Sequence, residues 1–197
     1  MASQTKYKTC RRYNEPGHAH ALTFSCYQQR RFLARDRARR WLIDALQLAR
    51  TKHGFSLWAY VVMPEHVHLV IFPRKDSYSI SDILADIKQP VTRRATRYLR
   101  EHSPQHLARM GSRKPGGRAV HRFWQRGGGY DRNLFDPEAV HTEIDYIHAN
   151  PVRRGLIEQP EDWVWSSAGY YSGHADCLLA PDVEDLPSLT GEKKRGR

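Results

Sequence analysis

The chain has 197 residues, with 32 lysines and arginines against 21 aspartates and glutamates, which gives a formal net charge of +11. This length suits one compact domain, and five tryptophans, ten tyrosines and six phenylalanines are enough to build a core, so wholesale disorder is excluded. The sequence has no run of about 18 apolar residues, no apolar stretch behind its N-terminal charges and only three widely spaced cysteines, so we expect a cytoplasmic protein without a membrane helix, disulfide framework or zinc cluster.

The first elements predicted along the chain are a strand, a helix and two further strands. Residues 21–27 are short, apolar-rich and β-compatible, and residues 36–53 carry an apolar stripe at helical spacing. The runs 55–63 and 66–72 are rich in β-branched and aromatic residues and are separated by only two residues. The pattern therefore indicates a tightly connected antiparallel pair.

A second helix is predicted after the paired strands. Ser81 or Asp82 can open it, and Pro90 is expected to kink it or to mark its real start. Residues 102–118 are rich in glycine, proline, serine, arginine and histidine, which predicts a basic loop.

The next predicted elements are a fourth strand and a last helix. The run 122–125 is a candidate strand before a stretch of three glycines. Asp136 and Pro137 form a strong helix start, because an aspartate caps free amides and proline is tolerated at the first helical position. This helix is predicted to end at Asn150 and Pro151.

The predicted domain organisation has three parts. Residues 1–19 form a basic N-terminal extension and residues 20–171 form the folded domain. The aromatic segment 160–171 is expected to fold back onto that domain. Residues 172–197 are predicted to be a loosely ordered tail.

Positive charge is concentrated between residues 93 and 126, where ten basic residues stand against one glutamate. Such a stretch is typical of proteins that bind nucleic-acid phosphates, and a solubilising surface is the alternative. Segment 161–190 has no lysine or arginine, and we hypothesise that it folds over the basic surface and restrains nonspecific binding. The residues predicted to contact DNA are Arg93, Arg94, Arg97, Arg113, Lys114, Arg118, Arg122 and Arg126.

Two histidines stand at the start of the third predicted strand. His66 and His68 project from the same face, because residues two apart in a strand do so, and both can reach one metal ion or one phosphate. The alternative is a pair of ordinary surface histidines. Glu65 either orients an imidazole or simply belongs to the turn.

A tyrosine and an asparagine share one flank of the last predicted helix. Tyr146 and Asn150 are one turn apart, beside the apolar stripe. A phenol is a poor nucleophile unless its target is polarised, and a metal held by imidazoles can polarise it. Packing of the Tyr146 ring at the edge of the stripe is the alternative.

Four sequence strings, taken in order, closely resemble the single-tyrosine HUH transposases, and in particular the REP-associated tyrosine transposases. The resemblance runs from about residue 20 to residue 171. The strings are MPEHVHLVIFP (63–73), FWQRGGGYD (123–131), YIHANPVRRGL (146–156) and PEDWVWSSAGYY (160–171).

The resemblance implies a ferredoxin-like α+β fold, in which an antiparallel sheet carries the histidines and a C-terminal helix carries the catalytic tyrosine. It implies that His66 and His68 bind a divalent metal with the side-chain oxygen of Asn150, and that Tyr146 is the nucleophile. The implied reaction is nicking and strand transfer on single-stranded or hairpin DNA through a 5′-phosphotyrosine. The implied cofactor is Mg²⁺ or Mn²⁺, of which two imidazoles suit Mn²⁺ better, and no nucleotide cofactor is expected.

Two other functions stay open at this point. The first is a protein of the same ancestry, domesticated or catalytically silent, that binds DNA hairpins without cutting them. The second is an unrelated metal-dependent phosphodiesterase that uses water as its nucleophile. For the leading hypothesis we expect a nucleoid-associated protein that acts as a monomer or a homodimer, with DNA and no membrane as its partner.

Overall fold

The computed structural model describes residues 13–113, 119–127, 129–174 and 176–189 of the chain. The strands in these ranges are β1 (Ala19–Ser25), β2 (Phe55–Val62), β3 (His66–Pro73), β4 (Gly111–Arg113), β5 (Ala119–His121) and β6 (Tyr130–Leu134). The helices are α1 (Asp36–His53), α2 (Ile80–His102), α3 (Pro104–Ala108), α4 (Pro137–His148), α5 (Asn150–Arg153) and α6 (Ala168–Tyr171). Within the described residues, none of these helices is both long and apolar enough to cross a membrane.

Four strands form one antiparallel sheet in the order β2-β3-β1-β6, and β4 and β5 form a separate pair. Thr23 of β1 lies opposite His68 of β3 on one side and opposite Tyr130 of β6 on the other. One helix follows β1 and another follows β3, as in the ferredoxin-like arrangement. The predicted α+β fold class is therefore confirmed.

Different helices cover the two faces of the sheet. Val67 and Leu69 of β3 join a core that includes the buried residues of α1 and α2. Val70 belongs to a second core, which includes the buried residues of α4. Because side chains alternate along a strand, His66 and His68 lie on the α4 face, while α1 and α2 lie on the opposite face.

The local sequence accounts for two helix boundaries that were predicted. α1 ends at Gly54, which has a φ of 69° and donates its amide to the carbonyl of Arg50. Before α4, the carboxylate of Asp136 accepts a hydrogen bond from the amide of Ala139, and Pro137 is the first helical residue. α4 ends at His148, and the short α5 then continues through Pro151.

α2 differs from the prediction at its start and at its proline. Ser79 caps the helix by accepting a hydrogen bond from the amide of Asp82, so Ser81 and Asp82 lie inside it. Pro90 neither starts nor ends the helix, which continues to His102. Burial of apolar residues on both sides of Pro90 offsets the hydrogen bond that proline cannot donate.

The fourth strand of the sheet is β6, and the predicted strand at 122–125 is wrong. That run makes an isolated bridge between Trp124 and Cys26. The ring of Trp124 packs edge-on against Phe24 in the core, with centroids 5.0 Å apart, and its indole N–H donates to the carbonyl of Lys88. Burial of this side chain, rather than strand pairing, explains the apolar run.

The predicted basic loop at 102–118 holds some regular structure. α2 extends to its first residue, and α3 and β4 follow. Residues 114–118 lie outside the described residues, as do residues 1–12 of the predicted N-terminal extension.

The segment after residue 160 packs on β2, the edge strand of the sheet. The amide of Val62 donates to the carbonyl of Trp165, so the predicted fold-back of 160–171 is confirmed. The described residues beyond 171 are not a loose tail, because Leu179 and Asp182 are buried and the Asp182 amide donates to the carbonyl of Leu57. We name residues 178–187 the C-terminal strap.

Two carboxylates hold the strap in place. Asp182 accepts hydrogen bonds from the Leu57 amide and from Arg50. Asp185 accepts from Ser56 and from the indole N–H of Trp58. These acidic side chains are thus used at the β2 edge, contrary to the hypothesis that the acidic segment covers the basic one.

Candidate active site

The two histidines of β3 point their Nε2 atoms at each other, 2.9 Å apart. Their rings are nearly perpendicular, and their centroids are 4.7 Å apart. The same-face placement predicted for His66 and His68 is therefore found. The amide of Asn150, at the start of α5, lies 3.0 Å from Nε2 of His68, so three polar groups meet at one point.

The opposite ring nitrogens are held by neighbouring side chains. Nδ1 of His68 is 2.8 Å from the hydroxyl of Thr23 on β1. Nδ1 of His66 is 3.2 Å from a carboxylate oxygen of Glu65, and Arg154 donates to that same oxygen. An ionised carboxylate can only accept, so the proton of His66 resides on Nδ1 and its Nε2 lone pair faces His68.

Both imidazoles are neutral, His68 being buried and His66 partly buried. Burial lowers the pKa of His68 to about 3, and the neighbouring His66 ring and the positive charge of Arg153 lower it further, because both disfavour a second positive charge at this place. Burial also lowers the pKa of His66, against the opposing influence of Glu65. Neutral imidazole is the form that offers a lone pair to a metal ion.

Tyr146 faces these groups from α4. Its ring centroid is 6.4 Å from that of His68, and half of the residue's surface is exposed. The guanidinium carbon of Arg153 lies 4.0 Å from the centroid of the same ring. An accessible phenol therefore stands between an imidazole and a fixed positive charge, which is not the arrangement of a tyrosine packed into a core.

A cleft of about 910 Å³ connects these side chains. Besides the two neutral histidines, its lining contains one glutamate and three arginines, Arg31, Arg153 and Arg154. Gln29 lines it too and has a positive φ of 55°, a conformation that side chains other than glycine rarely adopt. Because three arginines stand against one glutamate, the cleft is suited to an anionic ligand.

The groups that meet at Nε2 of His66 and His68 can act as ligands of a divalent cation. Two imidazole nitrogens and an amide converge, and rotating the amide of Asn150 by 180° presents its oxygen in place of its nitrogen. Elsewhere in the described ranges, as here, no three histidine, cysteine, aspartate or glutamate side chains are grouped around a common metal position. The protein therefore supplies an incomplete set, which oxygen atoms of water or a bound phosphate would complete.

The predicted DNA-contacting arginines do not line the cleft. Arg93, Arg94 and Arg97 are on α2, on the opposite face of the sheet, and Arg94 pairs with Asp44. Arg113 lies in β4, and Lys114 and Arg118 lie outside the described residues. Arg122 and Arg126 flank a segment that adjoins the cleft wall, because Tyr27 donates to the carbonyl of Phe123 and Gln125 donates to that of Ser25. The DNA-contact role of these residues stays a prediction.

Thr23 and the three arginines of the cleft were not among the site residues predicted from the sequence. Thr23 is 45 positions from His68 in the chain, and only the pairing of β1 with β3 brings the two together. Arg153 and Arg154 stand inside the string 146–156, and their position about two helical turns after Tyr146 was an available signal. His148 is hydrogen-bonded to Ser167 on the other side of α4 and is no part of the site.

Three comparisons relate the chain to known proteins. Residues 17–149 match the family model described as "Transposase IS200 like". The chain is 28% identical over 141 residues to a Haemophilus influenzae protein provisionally named as a REP-associated tyrosine transposase, a match that covers 67% of this chain and 73% of that protein. The structure of a REP-associated tyrosine transposase bound to a REP hairpin matches with a TM-score of 0.63 and 21% identity, over 93% of this chain and 98% of that one.

Proposed function

This chain belongs to the family of IS200-like transposases, and we propose that it nicks single-stranded or hairpin DNA through a covalent bond to Tyr146. The observation that carries this proposal is the half-exposed phenol that faces the His66 and His68 pair across an arginine-lined cleft. A nucleophile, a metal-binding set and an anion-binding wall are the parts that phosphoryl transfer needs.

His66, His68 and Asn150 would hold one Mg²⁺ or Mn²⁺ ion, which supplies Lewis-acid polarisation of the phosphate to be cut. The protein's own contribution is orientation. Glu65 and Thr23 fix the imidazole rings, and the burial of the site keeps both rings neutral. Two imidazoles make Mn²⁺ the more favourable ion.

The proposed reaction exchanges one phosphate ester for another. The Tyr146 oxygen forms a bond to phosphorus, the bond from phosphorus to the 3′ oxygen breaks, and that oxygen takes up a proton as the phenol loses one. The products are a 5′-phosphotyrosine and a free 3′-hydroxyl. Attack by a 3′-hydroxyl reverses the step at the same or a new junction, so no nucleotide cofactor is required.

The proposed DNA path leads from the cleft to the basic segment. The turn at residues 26–31 lines the cleft with Gln29 and Arg31. It also contacts the basic segment 93–126, because the amide of Tyr27 donates to the carbonyl of Phe123. Arg30, next to Arg31, donates to the carbonyl of Arg109. We therefore expect the cut strand to lie in the cleft and a hairpin stem to lie against residues 109–113 and 119–126.

A hairpin of the REP type is the first substrate to test, since a structural neighbour has been solved with one bound.

A covalent-adduct assay tests the proposal. Labelled hairpin oligonucleotides, REP-type sequences among them, are incubated with the protein and Mn²⁺ and then denatured. We expect label to migrate with the protein only when metal is present, and not in Tyr146→Phe or in the His66→Ala/His68→Ala variant. Tyr13→Phe is the matched control, because Tyr13 is about as exposed as Tyr146. Its carbonyl accepts a hydrogen bond from Asn133, at the end of β6 away from the residue that pairs with Thr23.

Binding without any adduct would favour a hairpin-binding protein that does not cut. Cleavage without an adduct would favour water as the nucleophile. Either result overturns the proposed reaction.

A further inference from the structure

Arg153 is a cation held at the nucleophile with no carboxylate to neutralise it. One of its guanidinium nitrogens donates to the backbone carbonyl of Tyr146 at 2.7 Å, and its guanidinium carbon lies 4.0 Å from the centre of that ring. It is close enough to His68 to lower the pKa of that imidazole, after the effects of burial and of His66. Among the described residues, no acidic side chain forms an ion pair with it.

The next residue shows what a structural arginine looks like in the same cleft. Arg154 pairs with Glu65 at 2.8 Å, and Glu65 in turn contacts His66. The charge of Arg154 is thus neutralised by Glu65, whereas the guanidinium of Arg153 borders the space between Tyr146 and the histidines. Arg153 is exposed to the solvent of the cleft, and an unneutralised guanidinium that lines a cleft is a binding group for an anion.

We propose that Arg153 donates a hydrogen bond to a non-bridging oxygen of the phosphate that Tyr146 attacks, and this inference rests on the function proposed above. For the phenol to reach phosphorus while His66 and His68 face the same phosphate, that phosphate must sit between the two groups. The guanidinium borders this space and is fixed there by its hydrogen bond to the backbone of α4. It then stabilises the negative charge that the oxygens carry during transfer.

The same contacts would arise if Arg153 only held the ring or capped the last turn of α4. The two roles differ in one measurable respect. A phosphate ligand recognises the charge of one linkage in the DNA, and a ring holder is indifferent to it.

The test measures binding, with no cleavage and no metal. The Tyr146→Phe protein, which keeps the ring, is titrated in the presence of a chelator with the hairpin oligonucleotide that it binds most tightly from the assay pool. A single neutral methylphosphonate is then moved, one linkage at a time, through the single-stranded flank of that oligonucleotide. We expect one linkage at which neutralisation weakens binding about tenfold, the size of one charge-assisted hydrogen bond.

In the Tyr146→Phe protein, the further substitution Arg153→Gln is expected to abolish the loss of affinity caused by neutralising that linkage. The effects of neutralising other linkages on affinity should stay unchanged. Arg40→Gln removes the same charge from the exposed face of α1, on the opposite side of the sheet, and should keep the full loss. Arg153→Lys offers a point charge in place of a planar pair of donors and should reduce the loss to about threefold.

The proposal is overturned if the penalty at the sensitive linkage is the same with and without Arg153, or if no linkage is sensitive. Each variant is compared with itself on charged and neutral DNA, so a general loss of stability cancels. The absence of an adduct with Mn²⁺ would refute the proposed cleavage, and it would leave this binding result to be judged separately.

Discussion

At the scale of single residues, His68 is held from two sides, by Thr23 on a neighbouring strand and by Asn150 on α5. His66 is held by Glu65, which Arg154 anchors. The two rings are therefore held in an orientation in which their Nε2 atoms face each other. Such preorganisation lowers the cost of arranging ligands around a metal ion when it binds.

The Glu65→Gln substitution is predicted to weaken metal use without removing a ligand. The amide loses the carboxylate charge that orients His66 and pairs with Arg154, and changes of this kind cost about 10- to 100-fold in metal affinity or activity. The measurement is adduct yield against Mn²⁺ concentration. We expect the curve to move to higher concentrations and DNA binding in chelator to stay within about twofold. An unshifted curve would show that Glu65 serves the turn alone.

The sequence was sufficient to find the histidines, Tyr146 and Asn150, because each belongs to a short motif with its own spacing. It was not sufficient for Thr23 or Arg31, whose place in the cleft depends on contacts across the fold. The metal and nucleophile roles of the four motif residues stay predictions until the adduct assay is done.

At the scale of elements, the entry into β6 depends on a glycine. Gly129 has a φ of 75°, and a Cβ placed there would lie 2.1 Å from the carbonyl oxygen of Thr23. The strand therefore approaches β1 more closely than any other residue would permit. This approach supports the same Thr23 that orients His68.

Gly129→Ala is predicted to lower stability by more than about 2 kcal/mol, because positive φ and backbone overlap act together. Gly127→Ala is the matched control: its φ is 97°, but no atom lies within 4 Å of the added Cβ, so it should cost only about 1 kcal/mol. Urea unfolding midpoints measure both changes. Equal losses at the two positions would contradict the close approach.

The C-terminal strap should make stability depend on acid. The hydrogen bonds from Ser56 and Trp58, with the charge of Arg74, hold the pKa of Asp185 below its ordinary value despite the opposing effect of burial, which is the largest single influence. A lowered folded-state pKa stabilises the protein above the unfolded-state pKa, and that stability is lost as pH falls below about 4.

Asp185→Asn should therefore reduce stability near neutral pH and flatten its fall below about pH 4, since the titrating group is gone. The check is urea unfolding of both proteins at several pH values between about 3 and 7. Curves that stay parallel over the whole range would remove Asp185 from the acid response.

Local pattern was enough to predict α1, β2, β3 and α4, whose residues repeat at the spacing of one element. The pattern failed at 122–125, because Trp124 packs in the core without belonging to a strand of the sheet. It also failed at the strap, since the sequence predicts solvated carboxylates at Asp182 and Asp185, and their partners lie far away in the chain, on β2 and, for Asp182, also on Arg50 of α1. Long-range polar pairs of this kind leave no periodic signal.

At the scale of the whole molecule, the sheet separates two basic regions. The arginines of the cleft lie on the α4 face, and the basic part of α2 lies on the opposite face. Arg109 and the run 123–125 adjoin the cleft wall, so a hairpin long enough to pass the end of the sheet would meet both regions. Affinity would then depend on salt through several phosphates.

Arg93→Gln/Arg97→Gln is predicted to make binding of a hairpin oligonucleotide less sensitive to salt. Each lost phosphate contact lowers the slope of log affinity against log salt by about 0.7 to 0.9. Titrations at several salt concentrations give the slope, and Arg40→Gln serves as the control. An unchanged slope in the double variant would confine DNA to the cleft face.

The most direct test of the central claim is to ask which end of the cut strand is bonded to Tyr146. A hairpin oligonucleotide labelled at its 5′ end in one sample and at its 3′ end in another is incubated with Mn²⁺, and the adduct is digested for mass spectrometry. The proposed reaction predicts that the 3′-labelled fragment stays with the peptide containing Tyr146, and that the 5′-labelled fragment is released with a 3′-hydroxyl that a polymerase can extend. Attachment of the 5′-labelled fragment, attachment at another residue, or release of both fragments would contradict it.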